Sequence, residues 1–188
     1  MKKSAFAVIT TLALTAVVIA AAMPTATVQL HRLVNDKGEH FYTASTVEKD
    51  RVIKVDGYRD EGVVGYIWAT QVSGTDALHR LYRGSKGIRD HFYTVDIAEK
   101  QRVEDRDGYK EEGITGYISK TQLPGTVPLY RLFSERYGEH FYTISDKERE
   151  SAEKNDGFKG ESIVGYIVPP PPAEAVKPAI FRDRLPQK

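Results

Sequence analysis

Apolar and polar residues alternate along three short stretches of the chain that carry the motif Leu-(His/Tyr)-Arg-Leu. Alternation with a period of two is typical of a β-strand with one buried face. A turn-rich segment follows each stretch, and a second alternating stretch built on His-Phe-Tyr-Thr comes after it. The pattern therefore predicts three β-hairpins. Their first strands are predicted at 28–34, 77–83 and 128–134, and their returning strands at 39–44, 90–95 and 139–144.

A short charged segment after each hairpin carries the signals of a helix. A Ser or Asp is followed three residues later by Glu, which is the spacing of a capping box. Each segment ends at an Asp-Gly pair, and glycine suits the left-handed position after a helix. Only one apolar position is shared by the three segments, so these short helices should lie on the outside of the fold. The predicted N-caps are Ser45, Asp96 and Ser145, and the shared apolar residues are Val52, Val103 and Ala152.

Each unit ends in the frame Gly-(Tyr/Phe)-x-x-Glu-(Gly/Ser)-(Val/Ile)-x-Gly-Tyr-Ile. Its β-branched and aromatic residues predict one or two short strands, bent at the recurring glycines. The predicted strand segments are 58–67, 109–118 and 158–167, each directly after the first glycine of its frame. The linkers between units, 69–76 and 119–127, are too short to separate domains.

The chain is thus three copies of one unit, at about 28–70, 77–121 and 128–168, within a single domain spanning 23–168. A unit of about 50 residues cannot bury its apolar face alone and must pack against its copies. We expect the residues packed around the shared axis to be Phe41, Phe92, Phe141, Ile67, Ile118 and Ile167. We therefore predict a mainly β fold with short helices and pseudo-threefold, β-trefoil-like organisation, the alternative being a small three-bladed propeller. An open solenoid is disfavoured because the outer units lack atypical polar caps.

Both ends of the chain differ from the repeated region. Lys2-Lys3, an apolar run over 5–22 and the small exit residues Ala20 and Ala22 predict a signal peptide over 1–22, with an uncleaved anchor as the alternative. We expect a secreted, cell-envelope or periplasmic protein without membrane attachment after cleavage. Four prolines open the tail at 169–188, which predicts an extended spacer followed by a mobile end.

Charge argues against nucleic acid as a partner. Without Lys2 and Lys3 the chain keeps 25 of its 27 basic side chains against 26 acidic ones, a formal charge of −1, and the two signs are interspersed. A basic stripe, which phosphate binding requires, is missing from this pattern. The chain has no cysteine, so its stability must come from the core. We expect a monomer and no cofactor.

The motifs Leu-Tyr-Arg-Leu, Glu-His-Phe-Tyr-Thr and Glu-Gly-x-x-Gly-Tyr-Ile together resemble a family of secreted three-repeat domains of unknown function, over about 28–168. The resemblance implies an accessory domain, often attached to extracellular hydrolases or standing alone behind a signal peptide, that binds cell-wall or other glycans. It implies no catalytic residues. The third copy departs from the pattern at Phe158 and Ser162, so its site need not equal the others.

The recurring polar residues have two interpretations. They can be internal ion pairs that satisfy polar groups where strands converge. Alternatively, with the His-Phe-Tyr-Thr tyrosines they line one shallow sugar site per unit, where an aromatic face covers a pyranose and polar groups bind its hydroxyls. Three weak sites would gain by avidity on a polymer. The candidates are Arg32, Arg80, Arg131, His40, His91, His140, Glu61, Glu112, Glu161, Tyr42, Tyr93 and Tyr142, with the lone Trp68 as a further ligand platform if exposed.

Two more specific functions, a metal site and a glycosidase, have less support in the sequence. His40, His91 and His140 could converge as a metal site, but ligand pairs at metal-type spacing are missing, so we predict no metal. The glutamates could act as paired acids, yet glycosidases set two carboxylates in one cleft, and common hydrolase and phosphate-loop motifs do not occur. We therefore expect a noncatalytic module that binds an extracellular glycan or cell-wall polymer. The competing class is a structural or protein-interaction domain, in which the polar set is wholly buried.

Overall fold

A computed structural model describes residues 27–85, 88–172, 174–179 and 181, without the side chains of residues 85 and 88. The predicted signal peptide lies outside these residues. The first unit contains β1 (Thr27–Val34), β2 (His40–Thr43), α1 (Thr46–Asp56) and β3 (Arg59–Trp68). The second contains β4 (Thr75–Ser85), β5 (Ile88–Thr94), α2 (Ile97–Asp107) and β6 (Lys110–Ser119). The third contains β7 (Val127–Ser134), β8 (Glu139–Thr143), α3 (Asp146–Asn155) and β9 (Lys159–Ile167).

Within the described residues, nine strands form one open antiparallel sheet that does not close into a barrel. The predicted hairpins pair β1 with β2, β4 with β5, and β7 with β8. Each final strand then pairs along the first strand of its own unit. Backbone pairing between strands of different units occurs at strand ends, where Trp68 pairs with Tyr117 and Ser119 with Tyr166. The prediction of a mainly β fold with short helices is confirmed. No helix in the part of the chain described is long and apolar enough to span a membrane.

The helices begin where the capping pattern predicts. Ser45, Asp96 and Ser145 accept hydrogen bonds from backbone N–H groups in the first turn. Gly57 and Gly108 adopt the left-handed conformation after α1 and α2, each with φ 75°. One shared apolar residue of each helix is buried, as predicted, and these residues are Val52, Val103 and Ala152.

The core consists of one large cluster to which all three units contribute and smaller clusters under each helix. We expected the Phe of His-Phe-Tyr-Thr to join the final Ile of each unit in the shared cluster. This is correct for the isoleucines and wrong for the phenylalanines, because the tyrosines occupy that cluster while the phenylalanines pack under the helices. The shared cluster includes Ile67, Ile118, Ile167, Tyr42, Tyr93 and Tyr142. The helix clusters contain Phe41, Phe92 and Phe141.

Glycine is required where neighbouring units approach most closely. A Cβ on Gly116 would lie 2.5 Å from Ile67 Cδ1 and 3.0 Å from the Trp68 carbonyl oxygen. Gly65 faces the same kind of contact with Ile167 and the Val168 carbonyl, and Gly165 with Ile118 and the Ser119 carbonyl. The glycines therefore set the unit-to-unit distance rather than ending the strands.

The tail, predicted as an extended spacer followed by a mobile end, docks on the domain over its described residues. Ala175 forms a parallel bridge with Val63, and the Lys177 N–H donates to the Glu61 carbonyl at 2.7 Å. Phe181 is 2% exposed and packs in the third unit's helix cluster. An extended, proline-rich backbone is thus compatible with docking, because its free peptide groups add to a strand edge.

Candidate functional site

Each recurring glutamate is the extra residue of a β-bulge. Arg32 lies opposite Gly62 and Leu33 opposite Asp60, so Glu61 has no partner on β1. Bulges redirect a side chain, and Glu61 Oε2 lies 2.7 Å from Arg32 Nε. The same register shift recurs in the other two units, where Arg80 Nε–Glu112 and Arg131 Nε–Glu161 are each 2.8 Å apart.

Each arginine also binds a helix of a neighbouring unit. The Arg32 guanidinium donates two parallel hydrogen bonds of 2.9 Å to Glu148 of α3. Such bidentate pairs are the stronger and more directional kind of ion pair. Arg80 binds Glu48 of α1 and Arg131 binds Glu99 of α2 in the same way. Three guanidinium groups therefore connect each unit to another.

The histidines lie beside these ion pairs, each between two carboxylates. His40 contacts Glu61 and Glu139, each at 3.5 Å. His91 contacts Glu112 at 3.5 Å and Glu39 at 3.0 Å. His140 contacts Glu161 at 3.4 Å and Asp90 at 2.7 Å. The histidines thus do not converge on one metal site, and within the described residues no cluster has the ligands for a metal ion.

The carboxylates favour the charged form of two histidines. Burial disfavours the His91 imidazolium, but Glu112 and Glu39 outweigh it and raise the His91 pKa. The pKa of His140 is raised against burial by Asp90 and Glu161. Burial likewise opposes ionisation of Asp90, yet its contacts with His140 and Tyr109 hold the Asp90 pKa below its usual range.

These pKa directions predict a stability maximum in mildly acidic solution. A histidine with a raised folded-state pKa stabilises fully below its unfolded value of about 6.5, and loses that contribution as pH rises through the folded value. The carboxylate contribution is lost instead as pH falls below about 4. We expect the free energy of unfolding, measured in urea at several pH values, to peak between about pH 5 and 6.5. His140→Gln should flatten the alkaline side of this curve, and stability that rises steadily from pH 6 to 9 would contradict the assignment.

The tyrosines are interior residues, which corrects their assignment as a sugar platform. Tyr42, Tyr93 and Tyr142 are 1–2% exposed. Their rings meet edge to face at centroid distances of 5.2–5.5 Å, and each hydroxyl bonds the backbone of another of the three tyrosines. Trp68 is also buried, at 1% exposure, so it is a packing residue. None of these four rings can present a face to a ligand.

Three clefts between units contain the arginine, histidine and glutamate groups. The first cleft, around Arg32, lies between the first and third units and is covered by the tail. The second cleft, around Arg80, has an open volume of about 180 Å³, and the third, around Arg131, about 250 Å³. Glu61 is 3% exposed in the first cleft, whereas the side chains of Glu112 and Glu161 are each 34% exposed in the others. The internal ion-pair interpretation therefore holds for the first cleft, while the other two keep an accessible carboxylate.

Two sets of partner residues were missed in the sequence. The capping-box glutamates of the helices bind arginines of another unit, as Glu48 binds Arg80. In a capping box Glu48 would accept from the Ser45 N–H, but here it accepts from the Thr43 hydroxyl. An acidic residue directly precedes each His of His-Phe-Tyr-Thr and binds a histidine of another unit. Recurrence at a fixed place in all three copies was the available signal for both sets. These residues are Glu48, Glu99, Glu148, Glu39, Asp90 and Glu139.

Comparison with known proteins identifies a family without an assigned activity. The profile of a domain of unknown function, DUF5648, matches residues 29–168. No catalytic family was found. No curated protein and no solved structure matches the chain. Because the matched region contains all three units and their clefts, the chain belongs to the DUF5648 family of domains of unknown function.

Proposed function

We propose that this protein is a noncatalytic binding module, exported from the cell, whose ligand is a glycan or another cell-envelope polymer. The observation that carries the proposal is the pair of open clefts, in which a partly exposed carboxylate lies beside a guanidinium and aromatic rings. Carboxylate and guanidinium groups make directional hydrogen bonds to neighbouring hydroxyls, and an aromatic ring covers the C–H face of a sugar. Export is supported by the charged and apolar segments that precede the domain.

The binding residues differ from the tyrosines expected initially. In the second cleft they are Arg80 and Glu112, with the partly exposed ring of Tyr82 as the aromatic wall. The third cleft offers Arg131 and Glu161 in the same roles, with the partly exposed ring of Phe133 as its wall. Two weak sites on one chain would reinforce each other on a repeating polymer through effective concentration.

The proposal predicts that glycan retention depends on the two accessible carboxylates. On an array of cell-wall and other glycans, Glu112→Gln and Glu161→Gln should each weaken binding severalfold, because each removes an acceptor for sugar hydroxyls while keeping the side-chain shape. The double variant should lose more than tenfold, as expected when two sites act together. Glu135→Gln, at a 78% exposed side chain outside the clefts, is the matched control. A folded wild-type chain that retains no glycan would end the proposal.

We further propose that the three units form a pseudo-threefold monomer. Support comes from an arginine–glutamate ion pair that recurs between each pair of units. These ion pairs are Arg32–Glu148, Arg80–Glu48 and Arg131–Glu99. Tyr66 also forms a β-bridge with Val168. This bridge joins the first and third units in the same way as Trp68–Tyr117 joins the first and second, and Ser119–Tyr166 the second and third. Because the described strands do not close into a barrel, this arrangement favours the three-bladed propeller over the β-trefoil.

A protein-interaction module is the second candidate function. This alternative predicts that the recurring polar residues are buried. The tyrosines, the histidines and Trp68 are all buried. It is favoured by one specific observation, a peptide segment seated in the first cleft. That segment is the chain's own tail.

A further inference from the structure

We propose that the outer edge of β6 and the second cleft together bind an extended peptide with the chemistry of residues 174–181. This inference goes beyond the glycan proposal, because it is based on how the tail is held by the first unit. The tail occupies the edge of β3 and the first cleft, as a bound peptide would. The edge of β6 and the second cleft form the corresponding surface of the second unit, which the described part of the tail does not cover.

On the first unit the tail is held by its backbone. The Val63 N–H donates to the Glu174 carbonyl at 3.3 Å, and the Lys177 N–H donates to the Glu61 carbonyl at 2.7 Å. This is strand addition to a sheet edge, a common mode of peptide recognition. Side chains of the first cleft complete the pattern. Arg32 Nη2 donates to the Lys177 carbonyl at 2.8 Å, and Glu148 accepts from the Ala179 N–H at 2.9 Å.

The corresponding edge of β6 has the same groups and no occupant in the described residues. Ile114 is 52% exposed, whereas its counterpart Val63 is 7% exposed beneath the tail. A Cβ on Gly62 would meet the tail backbone at 3.2 Å, while one on Gly113 would meet nothing within 4 Å. An exposed apolar residue on a free strand edge is a template for pairing with another chain.

The second cleft also has a place for an aromatic side chain. The ring of Phe181 lies 5.1 Å from Phe141, 4.7 Å from Phe158 and 5.5 Å from His40, measured between centroids. Phe41, Tyr58 and His91 are the equivalent residues around the open volume of the second cleft. Arg80 and Glu48 stand where Arg32 and Glu148 hold the tail backbone. A peptide on β6 would therefore find all three elements of recognition.

The third unit is a poorer site for a specific reason. Ser162 stands at the position that corresponds to Gly62, where an added Cβ would lie 3.2 Å from Val176 Cα of the tail backbone. A side chain there would lie about as near to the peptide as a Cβ on Gly62, which is too close for an unstrained contact. We therefore assign one peptide site, on the second unit, and expect Ser162→Gly to open another on the third.

The test is isothermal titration of the purified full chain with a capped synthetic peptide of residues 174–181. We expect saturable binding of one peptide per chain, and two per Ser162→Gly chain. Ile114→Lys should weaken binding at least tenfold, because it places a charge on the apolar edge. Ile97→Lys, at a 62% exposed position on α2, is the matched control and should bind as the wild type does. A peptide in which the last Phe is replaced by Ala should also bind at least tenfold more weakly.

Three outcomes would overturn the assignment. They are no saturable binding of the peptide, binding that Ile114→Lys leaves unchanged, and binding indifferent to the aromatic residue of the peptide. The last comparison uses wild-type protein only, so it stands even if an Ile114 variant fails to fold. Because no glycan is present, loss of peptide binding and loss of glycan binding are separate results, and either proposal can fail alone.

Discussion

Replacing Tyr93 with phenylalanine is expected to lower the free energy of unfolding by about 2–4 kcal/mol, because it leaves two buried backbone groups without a partner. The Tyr93 hydroxyl donates to the Tyr42 carbonyl at 2.7 Å and accepts from the Tyr42 N–H at 2.9 Å. The ring itself is retained, so the edge-to-face contacts and the buried apolar area change little. Urea denaturation of the variant and the wild type measures the loss.

Tyr117→Phe is the matched control, since Tyr117 is only half-buried and lies outside the set of three interlocked tyrosines. It should change stability by less than about 0.5 kcal/mol, as expected for a substitution away from the core. Equal stabilities of the Tyr93 variant and the wild type would show that the hydroxyl bonds contribute nothing to folding. A sugar platform at Tyr93 predicts the opposite order, in which ligand binding falls and stability is kept.

Local features of the sequence predicted the elements well because their causes are local. A helix start depends on a cap and the next three residues, and a hairpin depends on alternation around a turn. The strand faces were not predictable in this way. All four residues of β2 are buried, since a helix covers one face and the other units cover the opposite face. Where both faces of a strand are buried, alternation does not show which face lies in the shared cluster. The sequence therefore does not distinguish the tyrosines, which lie in that cluster, from the phenylalanines, which lie under the helices.

The exposure of the polar set depends on contacts distant in the sequence. Glu61 and Glu112 occupy the same motif and the same bulge, yet only Glu61 is fully buried. The difference comes from the tail, whose residues lie more than 100 positions after Glu61. Proline content predicted an extended backbone for this segment. It carried no information about where that backbone would dock.

Arg32→Leu is expected to lower the free energy of unfolding by about 3–5 kcal/mol, because removing one partner of a buried ion pair leaves uncompensated charge in the interior. Arg32 is 0% exposed, and its partners Glu61 and Glu148 are 3% and 13% exposed. Burial opposes ionisation of Glu148 and Arg32 lowers the Glu148 pKa, so the variant should accept a proton there more readily and recover part of the loss at lower pH. Urea denaturation at pH 7 and pH 5 measures both effects.

The matched variant is Arg80→Leu. It removes the corresponding ion pairs from the second cleft, which the described tail residues do not cover. Its partners Glu48 and Glu112 are 27% and 34% exposed, so water can solvate their charge once the guanidinium is gone. We therefore expect a smaller loss than at Arg32 and a weaker recovery at pH 5. Because the local sequence and pairing are alike at the two positions, the difference between the losses measures the effect of the docked tail. Equal losses at both positions would mean that the tail does not exclude water from the first cleft.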